Sequence, residues 1–449
     1  MIAPPALFAD LYSLTMMRAY REAGMGEEAV FSLYVRKLPP ERNFLLSCGV
    51  EDVLDAVSNL RFTDDDIAYL RSLGQFPESF LDYMRGFSFK GSIRAIPEGT
   101  PVFPDEPLLE VTAPIDQAQL LEAMAINLVQ SQTLFASKAA RIVLAAQGRP
   151  VADFGSRRAH GFDAALSGAR AFHVAGVGAT SNLLAGRRYG IPVIGTMAHS
   201  FVEAFATEAE AFDAMEASFP ETVLLVDTYD TLAAVRDLIV RAKTRGPAFR
   251  VRGIRLDSGD LAALARDARA MLDEAGLTGV SIFASGGLDE HEIARLVAQS
   301  PAIDAFGVGT AMSVSNDVPA LDIVYKLVSI GGRGVMKLSS KKKTLPGAKQ
   351  VFRRFEDDGT IADLLCLAEE QHPGEPLLVE MMRDGGRITP RPALSDIRDR
   401  AAAAIAGLPE NMRGLACSHA SFRVTTSPKL EALTRSVEDH VARMNKSEA

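Results

Sequence analysis

The chain has 449 residues and a formal net charge of −9, which is length enough for two or three domains, one of them large. Hydrophobic residues at 47% and charged residues at 23% are ordinary for a globular protein; no stretch approaches a membrane-spanning run, and the first residues lack the basic segment of a signal peptide. The negative balance argues against a nucleic-acid partner, and it means that an anionic substrate must be held by a local cluster of Arg and Lys.

In chain order, residues 5–22 predict a helix and 29–37 a strand, with further helices over 50–59 and 77–87. The run 89–114 alternates apolar residues with Gly and Pro, as a small antiparallel sheet does, and a long helix is expected over 117–147. From 151 to 331 one pattern recurs: a short apolar run, a Gly/Ser/Asp-rich turn and, usually, a helix. The strand candidates are VADFG, AFHVAG, PVIGT, TVLLVD, VRGIRLD, VSIFASGG and AIDAFGVG, with amphipathic helices over 231–243 and 261–275. Strands alternating with helices imply parallel βα units joined by right-handed crossovers. Seven such strands favour a barrel over an open sheet, although periodicity alone does not close it. After 332 the chain turns basic in MKLSSKKKTLPGAKQVFRRF and then mixes strands and helices. The division expected is therefore 1–149, 150–331 and 332–449, with the last segment packing beside the first as one α+β domain. Cys48, Cys366 and Cys417 are far apart, match no metal-ligand spacing and read as free thiols in a reducing cytoplasm.

In a parallel barrel the chemistry sits at the C-terminal ends of the strands, and the polar residues gather there. DFGSRR places Arg157 and Arg158 just past a strand, either as an anion clamp or as surface salt bridges. GATSN is a tight turn with Thr180 or Ser181 as a helix cap, or a set of backbone N–H groups open to an anion. PVIGTMAHSF puts His199 between an expected strand and a helix over 201–214, where a locally hydrogen-bonded helix-start residue is the bland alternative to a functional one. GIRLDSGDL sets Asp257 and Asp260 around Ser258-Gly259, with Arg255 two residues before the first. Asp260 suits a helix cap, yet two acids and a base at one strand end also suit a sugar diol and a phosphate-bound Mg²⁺. SGGLD, with Gly286 and Gly287, and FGVGT, with Gly307 and Gly309, end consecutive strands as phosphate-cradling loops do.

Taken in order, DLYSLTM, DFGSRR, GATSN, GTMAHSFV, LDSGDL, SGGLD, FGVGT and KLSSKKKTLPGAKQVFR resemble the nicotinate phosphoribosyltransferase family, over about residues 8–354. The resemblance implies an incomplete parallel α/β barrel of about seven strands beside an α+β domain built from both chain ends, working as a homodimer. It implies transfer of phosphoribosyl from 5-phosphoribosyl 1-diphosphate (PRPP) to nicotinate, coupled to ATP hydrolysis and assisted by Mg²⁺, in NAD salvage. By the same resemblance His199 accepts the γ-phosphoryl of ATP, with Asp227 of VLLVDTYD as the acceptor that orients its ring. Phe154 and Tyr12 sandwich the pyridine, Tyr12 from across a dimer interface. Arg157 lies beside the base, and Arg255, Asp257 and Ser258 lie at the ribose and phosphates. Gly286, Gly287, Gly307 and Gly309 form the 5′-phosphate cradle. Lys138 and Arg141 add charge toward the diphosphate or are solvated on a helix, and Lys341–Lys349 forms a flap over ATP or diphosphate. Thr180 stands where the amide-using relatives carry an aspartate; a hydroxyl there donates to a carboxylate, which favours nicotinate over nicotinamide. No P-loop is present, so ATP must use the phosphate site shared with PRPP. The competing readings are a nicotinamide or quinolinate enzyme, and a non-catalytic PRPP or nucleotide sensor on the same fold.

Overall fold

The computed structural model describes residues 5–300, 302–338, 344–356, 360–418 and 421–447. The chain divides into two units, one formed by Lys138–Pro319 and the other by Met1–Ser137 with Ala320–Ala449.

The unit Lys138–Pro319 is built on a six-stranded parallel sheet. Its spatial order is Ala179–Thr180, Val151–Asp153, Ala305–Val308, Ser281–Ala284, Gly253–Leu256, Val223–Leu225. Each strand is a run of two to four mostly apolar residues, as expected where a sheet is covered on both faces. The register pairs Asp153 with Thr180 and with Val308, Ala284 with Phe306 and with Leu256, and Leu225 with Arg255. The turns that follow these strands therefore open on one edge of the sheet. Helices return the chain between strands, and side chains in the turns start them. Asn182 accepts from Leu184 and Ala185 N–H, Asp230 from Ala233, Asp260 from Ala263, and Asp289 from His291 and Glu292.

Five of the seven predicted strands are present. The run Ala171 to Gly176 is instead the last turn of the helix Phe162–Val174, closed by Ala175 N–H on the Ala171 carbonyl and by Gly176 at φ +112°. A continuous apolar run does not distinguish a buried strand from a buried helix end. PVIGT contributes a single bridge, Val193 to Thr180. The sixth strand lies inside GATSN, in what the sequence suggested was only a turn. The helix expected over 201–214 is two helices, His199–Glu203 and Glu208–Ser218, because Thr207 caps a new start by accepting from Glu210 N–H at 3.2 Å.

The other unit holds a seven-stranded antiparallel sheet that interleaves the chain ends. Its order is Arg333–Gly334, Ile323–Ile330, Glu28–Val35, Pro107–Pro114, Ser92–Ala95, Val379–Arg383, Gly386–Arg387. A four-stranded sheet follows the order Glu375–Pro376, Lys349–Phe355, Ile361–Leu367, Phe422–Thr426. The first helix begins at Leu11, and the helix expected over 117–147 is interrupted at Leu121 into Ile115–Leu120 and Glu122–Ala145. A further helix, Asp64–Ser72, carries its signal in TDDD: Thr63 and Asp66 form a reciprocal capping box. Among the described residues no helix is long and apolar enough to cross a membrane.

Candidate functional site

A cavity of about 580 Å³ opens at the sheet edge where the turns gather. Its lining includes Phe154, Arg157, Arg158, Ser181, Thr196, Met197, His199, Arg255, Asp257, Ser285, Gly286, Gly287, Gly307 and Gly309. Every turn that the sequence marked after an observed strand, apart from that of TVLLVD, contributes to it.

Two of the glycines are required by close approach. Gly286 has φ +91°, and a Cβ there would fall 1.8 Å from the Asp257 carbonyl oxygen. A Cβ on Gly307 would come within 2.6 Å of the Phe154 ring. The glycine at 307 thus leaves room for that ring, whose centre is 5.7 Å from that of Phe283 with the two planes tilted by 39°.

Arg255 projects from the strand Gly253–Leu256 and donates to the Met197 carbonyl at 3.0 Å, while its Nε is buried with no hydrogen-bond partner among the described residues. Burial pulls its pKa below the ordinary arginine value. Asp257 and Asp227 oppose that pull, and the nearby Arg157 guanidinium adds to it. Three guanidinium groups at one cavity, that of Arg255 desolvated, are met most favourably by an anion.

His199 is the first residue of its helix and is half-buried. Its Nδ1 lies 3.2 Å from Thr228 Oγ1 and its Nε2 3.9 Å from Asp257 Oδ2. Asp227, expected to orient this ring, does not bond to it. Asp227 Oδ2 accepts instead from Asp257 N–H at 2.9 Å and from Ser258 Oγ at 2.6 Å, and its Oδ1 is buried without a partner among the described residues. Asp227 therefore fixes the turn that carries Asp257, and Thr228, the next residue along, faces the histidine. Asp257 Oδ1 in turn accepts from the Ser285 hydroxyl. The hydroxyl of Ser258 is engaged by Asp227, and Ser258 does not line the cavity.

Four expectations are corrected. The Thr180 side chain is buried and points under the turn, donating to Asp153 Oδ2 at 2.7 Å and accepting from Asn182 N–H at 3.1 Å. It does not line the cavity; the exposed Ser181 does. Beneath it, burial raises the Asp153 carboxyl pKa, against the hydrogen bonds from Thr180 and Gly155 N–H. The cap of the following helix is Asn182, not Thr180 or Ser181. Asp260 is likewise a cap, accepting from Ala263 N–H at 3.1 Å, and lies outside the lining. Lys138 and Arg141 make no part of the lining either. Lys138 is buried against Glu290 at 2.5 Å and Asp317 at 2.8 Å, and Arg141 Nε donates to Glu290 at 2.9 Å. Lys341 and the segment 339–343 lie outside the described residues. Tyr12 belongs to the other unit, where its hydroxyl donates to Glu122 at 2.9 Å; burial and that carboxylate push its pKa up to about 12.

Residues 7–130 match the nicotinate phosphoribosyltransferase N-terminal domain, and residues 150–359 match the nicotinate phosphoribosyltransferase family. The chain is 50% identical over 426 residues to a nicotinate phosphoribosyltransferase of Mycobacterium tuberculosis, covering 95% of this chain and 92% of that one. It is 44% identical over 376 residues to a nicotinate phosphoribosyltransferase of Bacillus subtilis, with 82% and 77% covered. The crystal structure of human nicotinic acid phosphoribosyltransferase superposes with a TM-score of 0.85 at 30% identity, covering 95% of this chain and 99% of that chain. With these likenesses added to the cavity and its ordered motifs, the chain belongs to the nicotinate phosphoribosyltransferase family, a family of enzymes.

Proposed function

We propose that this protein transfers the 5-phosphoribosyl group of PRPP to nicotinate, giving nicotinate mononucleotide and diphosphate, with ATP cleavage coupled through a phosphohistidine at His199. The observation that carries the reading is the charge of the cavity. In a chain of net charge −9, three arginines (Arg157, Arg158, Arg255) and one carboxylate (Asp257) line it. Such a cavity suits substrates that bring phosphates and a carboxylate.

The residues divide the work by position. The phosphate of the ribose fits the bare backbone of Gly286-Gly287 and Gly307–Gly309, and Arg255 and Arg157 supply countercharge to phosphate or carboxylate oxygens. The Phe154 ring offers an apolar face to the pyridine. Ser181 takes the part first assigned to Thr180: an exposed hydroxyl can donate to a carboxylate, and the acid beneath the turn, Asp153, is covered by Thr180. Breaking the ribose–diphosphate bond passes through an oxocarbenium-like state, so positioning and countercharge do most of the work.

His199 Nε2 is the nucleophile of the coupled step. With the ring proton on Nδ1 donated to Thr228, the Nε2 lone pair is free to attack the γ-phosphorus of ATP as the bond to the bridging oxygen breaks and ADP leaves. The residues present fit a Mg²⁺ ion carried in by substrate phosphate. Asp257 offers an oxygen in the lining, and Asp227 Oδ1, just behind, has no hydrogen-bond partner; Mg²⁺ is commonly held by one or two carboxylates together with phosphates. When bound, it would neutralise charge on the departing diphosphate. The homodimer, with Tyr12 reaching a partner's base site, and a reducing cytoplasm as the setting for three free cysteines belong to the same reading.

Diphosphate release assayed with nicotinate, nicotinamide and quinolinate, with and without ATP, tests the reaction. Incubation with γ-labelled ATP tests the histidine. Label that is acid-labile, base-stable and lost in His199→Asn supports the proposal, with a slow ATP-independent transfer remaining. Label that survives acid or persists in His199→Asn overturns it.

A further inference from the structure

Within the unit formed by the chain ends, Cys366, Glu370 and His372 bring one thiol sulfur, one carboxylate oxygen and one imidazole nitrogen to within 4.8 Å of one another. Cysteine-to-cysteine spacing could not reveal this group, because only one of its members is a cysteine. Cys366 lies near the end of the strand Ile361–Leu367, and Glu370 and His372 lie in the turn from it to Glu375–Pro376; both strands pair with Lys349–Phe355. Cys366 and Glu370 are buried, and His372 reaches partly to solvent.

The group is braced from behind. Glu370 Oε1 accepts from Leu367 N–H at 2.8 Å and from the buried Ser427 hydroxyl at 2.7 Å, which leaves Oε2 to face His372 Nε2 at 3.1 Å. Ser427 is itself tied down, since its Oγ accepts from Leu430 N–H at the start of the helix Pro428–Ser447. The imidazole meets the Phe352 ring edge to face at 5.8 Å. Cys366 is held by a weak bond from its thiol to the Gln350 carbonyl at 3.6 Å. A carboxylate oriented by a second set of donors is the bracing that holds metal-ligating carboxylates in place.

We propose that Cys366, Glu370 and His372 bind a divalent transition ion of the zinc type, separate from the catalytic cavity. Sulfur and imidazole nitrogen select a borderline-soft ion over Mg²⁺, and three protein ligands leave a fourth, tetrahedral position for water on the His372 side. Binding replaces the thiol proton, which leaves to solvent, and exchanges the weak Sγ–H bond to Gln350 for a metal–sulfur bond. The ion would cross-link the strand Ile361–Leu367, its following turn and, through Glu370 and Ser427, the head of the last helix.

The test uses the full chain, stripped with a chelator and titrated with Zn²⁺, and with Co²⁺ as a spectroscopic stand-in. Wild type is expected to take up about one ion per chain, to show a sulfur-to-cobalt charge-transfer band and to melt at a higher temperature with metal. Cys366→Ser should lose the band, His372→Gln should weaken Zn²⁺ binding at least about tenfold, and Cys417→Ser should change neither. Absence of the band at saturating Co²⁺ in wild type, or its persistence in Cys366→Ser, overturns the site. Should Cys366→Ser fail to fold, His372→Gln decides the matter, because its ring is partly exposed; unchanged Zn²⁺ affinity in that variant overturns the site as well.

Discussion

Two pairs of basic residues in one unit meet opposite fates. Lys138 and Arg141, one helical turn apart, close on Glu290 and Asp317 in the interior. Arg157 and Arg255, distant in sequence, converge on a cavity where, among the described residues, Asp257 is the single carboxylate of the lining. The first pair has its countercharge in two carboxylates of the fold; the second faces a cavity whose lining offers one. Charge at a strand end or on a helix face does not distinguish these cases, and the carboxylates that each pair meets do.

The contrast is tested most strongly by Glu290→Gln. It leaves two buried cations with Asp317, on Lys138, in place of two carboxylates, and is expected to cost about 3 kcal/mol in denaturant unfolding, with catalytic constants of the folded fraction little changed. Its pH dependence has a definite sign. Glu290 is desolvated, which raises its pKa, but Lys138 and Arg141 outweigh that and hold it below the ordinary 4.5. Its stabilising contribution is therefore present above that value and lost as pH falls through the lower folded value, so wild type and variant should converge in acid. Arg255→Gln is the converse change: about a hundredfold loss in kcat/KM, with an unfolding cost of about 1 kcal/mol for the lost bond to Met197, small beside that of Glu290→Gln. Wild-type kinetics in that variant would remove Arg255 from the anion site.

The two hydroxyls of the GATSN turn sharpen the same distinction at smaller scale. Thr180→Val leaves the buried Asp153 carboxylate short of a donor and should cost about 1–3 kcal/mol of stability, without altering the preference for nicotinate over nicotinamide. Ser181→Ala should lower kcat/KM for nicotinate about tenfold while stability holds, read from parallel assays on both bases. The smallest effect expected is that of Thr228→Val. Losing one hydrogen bond to Nδ1, worth about 1 kcal/mol, should slow phosphoenzyme formation about fivefold and move its pH profile, measured by rapid quench with labelled ATP.

Much of the site could be read from residue types because it lies in turns after short apolar strands. Five such strands, the glycine pairs, Arg157, Arg255, Asp257 and His199 stand together as the motifs suggested. What could not be read was direction. A strand of two residues, Ala179–Thr180, carries no alternation from which to tell that Thr180 turns inward and Ser181 outward. Asp257 and Asp260 look equivalent in LDSGDL; only the helix that begins at Leu261 makes one a cap and leaves the other in the cavity. Lys138 and Arg141 could not be assigned because their partner, Glu290, is about 150 residues away and meets them only through the fold.

The parallel sheet does not close on itself. Its two outer strands are Ala179–Thr180, extended by the bridge at Val193, and Val223–Leu225. Among the described residues, the segment that follows Val193 is tied to the far side of that opening by side chains: His199 to Thr228, and Arg255 to the Met197 carbonyl. The groups that would handle phosphate are thus also the stitches of a seam that backbone pairing leaves open. Whatever alters the imidazole or draws the guanidinium away from Met197 also loosens a hem of the barrel, so reactivity and the mending of the sheet share the same few bonds.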